Sequence, residues 1–174
     1  MTARPQALPA WLNVLSRRLR QANEWAVIAM MAVMVFVVSL EVVMRYVFAS
    51  SLIFASELSR LLFVWVVFLG LALAAASGKE VAIRLLPDLL KAHFRSGLIL
   101  ALVTRSAGIS LMLLLAVVNW EFVVANWHRP LNSMPGNAGL FHLPLTIGAV
   151  LTAFHLAVGA VEAMLSRAVE SPAP

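Results

Sequence analysis

Residues 25–48 read WAVIAMMAVMVFVVSLEVVMRYVF, an apolar run broken only near its end by Glu41 and Arg45. A helix needs about 20 apolar residues to cross a hydrocarbon core about 30 Å thick, and this run meets that length. A cleavable signal would have a shorter apolar core ending at a small-residue site. The run is too long and ends in Glu41, Arg45 and Tyr46, so it reads as a retained span. Working outward, three more runs of the same kind follow, at about 54–76, 98–125 and 143–165. Strand-type alternation is missing from all of them, which leaves helices as the way of satisfying the backbone in lipid.

Composition agrees. Of 174 residues, 62% are hydrophobic and 12% charged, and the mean hydropathy is +0.93. Soluble domains are roughly 45–50% apolar and about 25% charged. A chain this short could not hide the excess from water. The expected fold is an all-α integral membrane protein of four transmembrane helices forming one membrane domain, 1–174. The net charge of +5 is spread through the segments between runs rather than gathered into a patch, which argues against nucleic acid and for loops facing anionic lipid headgroups. The chain has no cysteine, so disulfides and thiolate metal sites are excluded.

Orientation follows from Lys and Arg in the short connections. Arg4, Arg17, Arg18 and Arg20 precede the first span, and Lys79, Arg84, Lys91 and Arg95 lie between the second and third. The 49–55 turn has neither Lys nor Arg, and the link after the third span has only Arg129. The positive-inside rule therefore predicts that the N-terminus and C-terminus are cytoplasmic. Within 8–21, Trp11, Leu12, Leu15 and Leu19 recur at helical spacing, with Arg17, Arg18 and Arg20 on or beside the other face. That pattern predicts an interfacial amphipathic helix in the headgroup layer. The 77–97 link is also amphipathic, with Pro87 interrupting any continuous helix, and is expected along the cytoplasmic face of the bilayer or docked on a partner. The link after the third span, rich in Pro, Gly and Asn, is expected to be an irregular periplasmic loop.

Ionisable residues inside spans are costly and draw attention first. Glu41 and Arg45 stand four apart on one helical face, and Glu57 and Arg60 three apart at the start of the second span. Since the turn between these spans is short, the two pairs can meet in a four-charge cluster. Such a cluster would fix helix packing, contact a partner subunit or line an ion path. Arg105 lies near the start of the third span and is expected to snorkel to headgroups. Glu121, beside Asn119 and Trp120, is expected to be wetted at the other end. Trp65, Phe63 and Phe68 read as lipid or packing contacts. In the fourth span Gly148, Thr152, His155, Gly159 and Glu162 form a stripe of small and polar residues that permits close helix approach, internally or toward a partner. Phosphate loops, HExxH, nucleophile elbows and acidic metal clusters are absent from the sequence. No catalytic, cofactor or metal role is therefore expected. Haem held by two histidines would need them at matching depths, and only His155 is well inside a span.

The stretch EVVMRYVFASSLIFASELSRLLFVWVVFLGLALAAASGKEVAIRLL, residues 41–86, resembles the DctQ family, the small permease subunit of tripartite ATP-independent periplasmic (TRAP) transporters. That family ends its first span with a Glu and an Arg-Tyr, matched by Glu41, Arg45 and Tyr46. It opens its second with an acidic residue and an Arg, matched by Glu57 and Arg60. The chain departs at Ala55 and Ser56, where the family often has tryptophan or a second acid, and at Lys79 and Glu80, where a histidine often follows the glycine. The resemblance implies a non-enzymatic inner-membrane subunit of a sodium-coupled importer of organic acids such as a C4-dicarboxylate or a sialic acid. Implied partners are a large multi-span permease subunit, a periplasmic substrate-binding protein and membrane lipids, but no nucleic acid and no cofactor. Glu41, Arg45, Glu57, Arg60 and Trp65 are then candidates for subunit assembly. Two alternatives from other classes are a haem-carrying electron-transfer subunit and a small self-sufficient homodimeric exporter.

Overall fold

The computed structural model describes residues 10–77 and 97–170. They form four long helices, α1 (Ala10–Val47), α2 (Ile53–Ala76), α3 (Gly97–Asn126) and α4 (Leu143–Glu170), with a short 3-10 turn at Ala138–Phe141 before α4. All four are long and apolar enough to span a bilayer. The 78–96 link and residues 8–9 lie outside the described residues.

The expected interfacial helix is not a separate element. From Ala10 onward it is the first part of α1, which runs unbroken for 38 residues. Between Ala10 and Val47 there is no Gly or Pro to end the helix, so the basic segment simply prolongs the apolar one. At 1.5 Å per residue α1 is about 57 Å long, nearly twice the hydrocarbon thickness.

α1 ends at a left-handed residue, Ala49 (φ 50°). It turns the chain so that the Ser50 N–H reaches the Met44 carbonyl at 3.1 Å, and α2 starts within a few residues. The hairpin makes α1 and α2 antiparallel neighbours. α4 then packs between α2 and α3, so the main contacts run α1–α2–α4–α3. Burial tracks this order: 39% of the apolar window of α4 is buried, against 6% of that of α1.

Small residues make the contacts. Ala55, Ala72, Ala116, Ala149 and Ala153 are all buried, and a Cβ on Gly148 would lie 2.7 Å from the carbonyl oxygen of Phe68. In lipid, apolar burial gives little drive for helix association, so close backbone approach supplies the attraction instead.

Candidate functional site

The end of the bundle that carries the 48–52 and 127–142 connections holds most of the charged candidates. Glu41 and Arg45, one turn apart on α1, form an ion pair, with Glu41 largely covered and Arg45 mostly exposed. Glu57 does not join them. Its carboxylate accepts hydrogen bonds from the Ser133 N–H at 2.8 Å, the Ser133 hydroxyl and the Asn132 N–H at 3.4 Å. The expected four-charge cluster is therefore not formed, and no contact ion pair links Glu57 to Arg60 among the described residues. The cause is chemical: three donors from one loop converge on the carboxylate, and hydrogen bonds to an ionised acceptor are the strong kind.

That loop is more regular than its Pro, Gly and Asn content suggests. The Ala138 N–H donates to Arg129 O at 2.8 Å and the Leu131 N–H to Gly136 O at 3.1 Å, with a bridge between Pro130 and Asn137. Gly136 has φ 154° and sits against Leu131, where a Cβ would be only 3.2 Å from a methyl group. Few residues other than glycine fit both conditions. The result is a small hairpin tied to α2 by Glu57. The next stretch is tied to α3: the buried Asn119 side chain donates to His142 O at 2.7 Å and to the Thr146 hydroxyl at 2.8 Å. Glu121 is exposed.

At the opposite end, Arg105 does not reach outward. Its guanidinium donates to the carbonyl of Gly159 and lies over that glycine, within 3.6 Å of where a Cβ would stand. The expected snorkelling gives way because a missing side chain on α4 opens a carbonyl within reach. The α4 stripe is thus divided between two neighbours. Gly148 meets α2, and Gly159 meets α3. Thr152 lies buried between them with its hydroxyl turned back to Gly148 O at 2.7 Å, and His155 is buried edge-on against Phe154. The side chain of Glu162 lies outside what is described.

Between α1 and α2 lies an open groove of about 480 Å³ lined by Met34, Val35, Val38, Ser39, Ser59, Arg60 and Phe63. The Ser59 hydroxyl is buried there without a hydrogen-bond partner. Trp65 is half-buried further along α2.

Several structural residues escape sequence reasoning. Asn23 is buried and donates to Leu69 O at 3.0 Å, joining α1 to α2. A lone Asn beside an apolar run is the signal that could have found it, and Asn119 offered the same signal. Ser133 offered none, since its partner is distant in sequence. No group of three or more His, Asp or Glu poised to hold a metal occurs among the described residues.

Comparison with known proteins agrees with this architecture. Residues 34–166 match the family described as tripartite ATP-independent periplasmic transporters, DctQ component. An uncharacterised Sinorhizobium fredii protein, y4mM, is 34% identical over 133 residues, covering 76% of this chain and 24% of that protein. A Haemophilus influenzae protein provisionally named a TRAP transporter small permease is 36% identical over 75 residues, 43% of this chain and 47% of that one. The chain thus spans about a quarter of the first relative's length and about half of the second's. It is a multi-pass membrane protein, and it belongs to the DctQ family, the small permease component of TRAP transporters.

Proposed function

We propose that the chain acts as a fixed scaffold for the large multi-span permease subunit of a sodium-coupled importer of an organic acid, and helps dock the periplasmic binding protein that delivers the substrate. In this reading both termini are cytoplasmic, and the 48–52 and 127–142 connections face the periplasm. Substrate and sodium would bind in the large subunit. The observation that carries the reading is the Glu57 clamp. It fastens a 129–138 hairpin to the start of α2, and Asn119 fastens the following turn to α3 and α4. One end of the molecule is thereby held as a fixed surface, which suits a brace and a docking platform. The exposed Arg17, Arg18 and Arg20 at the far end of α1 favour the cytoplasmic side for that end. Glu41, Arg45, Glu57, Arg60 and Trp65 remain the assembly candidates, Glu57 through the loop it holds.

The test is a mild-detergent pull-down of the tagged chain from its native membrane, with the co-purifying polypeptides identified by mass spectrometry. A stoichiometric large multi-span partner is the expected result. Recovery as a lone chain or homodimer would favour the exporter, and haem absorbance in the preparation would favour electron transfer.

A further inference from the structure

Three arginines of the bundle are answered within it. Arg45 pairs with Glu41, Arg105 donates to the Gly159 carbonyl, and the charge of Arg60 acts on Glu57. The first part of α1 differs. Arg17, Arg18 and Arg20 are all exposed, and none of them forms an ion pair among the described residues. From Ala10 to Asn23 there is no Asp or Glu. Glu24, one turn beyond Arg20, is exposed and makes no ion pair with it; an acid C-terminal to its base is the less favourable order on a helix.

Depth decides what can answer these charges. The exposed Trp25 stands where the apolar run of α1 begins, and tryptophan favours the edge of the hydrocarbon core. At 1.5 Å per residue Arg20 lies about 8 Å outside Trp25, and Arg17 about one turn farther. That is where lipid headgroups stand. Arg17 and Arg20 share one side of the helix, and at 3.6 residues per turn Ile28, Met31 and Val35 continue that side into the bilayer. All three are exposed. The charge of Arg20 also acts on His155 of α4, although α1 and α4 each pack on α2 rather than on each other. Arg20 therefore stands on the flank of α1 turned toward α4, with an imidazole opposite it and no carboxylate bound to it.

A free phosphate would answer the two guanidinium groups and leave the apolar stripe below them uncovered. A phospholipid answers both, since its phosphate accepts paired N–H bonds from arginine and its tails continue inward. We propose that the Arg17–Arg20 side of α1 binds one anionic phospholipid, with its phosphate on the two guanidinium groups and its acyl chains along Ile28, Met31 and Val35. Glu24, on the same side, opposes the anion and sets the affinity below what the arginines alone would give.

The experiment uses the full chain in nanodiscs of equal parts phosphatidylglycerol and phosphatidylcholine, released into a native mass spectrometer so that retained lipids are counted. The expected result is one phosphatidylglycerol kept per chain, in clear preference to phosphatidylcholine. Equal retention of the two lipids, or retention of neither, would overturn the site. Arg20→Gln and Arg129→Gln each remove one positive charge. Arg20→Gln should lower the preference about fivefold, while Arg129→Gln, in the loop at the other end, leaves it unchanged. Equal losses from both would mean diffuse attraction to net charge and would overturn the site. Arg17→Lys with Arg20→Lys should keep most of the preference, and Glu24→Gln should raise it; a fall on Glu24→Gln in a chain of unchanged helicity would overturn the placement. Displacement of the lipid by inorganic phosphate at constant ionic strength would reassign the site to a free anion.

Discussion

At the residue scale, Ala49 carries the α1–α2 turn in a conformation that suits glycine. Its φ of 50° brings Cβ toward the following carbonyl, at a cost of roughly 1 kcal/mol for an L residue. Ala49→Gly should remove that cost and leave the Ser50 N–H to Met44 O bond in place. A thermal-unfolding midpoint in detergent is expected to rise by a few degrees; a fall would mean that Cβ makes a contact the turn depends on. Single residues also show what the sequence could disclose. Glu41 and Arg45 were legible as a pair because a spacing of four on one helix decides their proximity. Glu57 and Arg60 looked equivalent, yet the Glu57 carboxylate is claimed by Ser133 and Asn132, some 75 residues away. Arg105 is the same case, bound to a Gly159 carbonyl 54 residues on. A local spacing announces what a side chain can reach, and tertiary competition decides what it takes.

Among the elements, α4 shows how backbone approach is built. A Cβ on Gly148 would stand 2.7 Å from both Cβ and O of Phe68. Backbone atoms cannot rotate aside as a side-chain tip can, so α2 itself would have to move. Gly148→Ala should destabilise the bundle by about 1–3 kcal/mol, the usual cost of overpacking, and Gly148→Leu by more. Gly70 on α2 is the control, because nothing lies within 4 Å of its Cβ position. Gly70→Ala should be neutral, or stabilising by up to about 1 kcal/mol through helix propensity. Equal losses at Gly148 and Gly70 in detergent unfolding would remove the close-approach argument. The stripe itself was legible, since small and polar residues at spacings of three and four mark one face of a helix. Its division between α2 and α3 was not, because a helical wheel gives a direction and no neighbour. α1 likewise was longer than its apolar run: patterning separated a basic segment from a span, but without Gly or Pro the backbone had no cause to break.

For the molecule as a whole, four spanning helices followed from composition and run length alone, while their spatial order did not. The loop-end platform is a property of this scale, since it joins α2, α3 and α4. Ser133→Ala removes the hydroxyl donor to Glu57, and Glu57→Gln removes the charge that strengthens all three bonds; each change should loosen the hairpin from the start of α2. The 127–142 connection should then be cut faster by a protease added from that side, with the helices still intact, and an unchanged cutting rate would show that the clamp does not hold the hairpin. The central place of α4 has a consequence for how the protein is made. It is the last of the four helices in chain order, and it packs against both α2 and α3. During synthesis α1 and α2 can pair as soon as they enter the bilayer, because their partners are consecutive. Until α4 arrives, α3 is held to that hairpin only through the 127–142 connection and its bonds to Glu57. The packing of these four helices is therefore completed by α4, and a chain stopped before Leu143 would leave the α1–α2 hairpin and the third span joined by the Glu57-held loop alone.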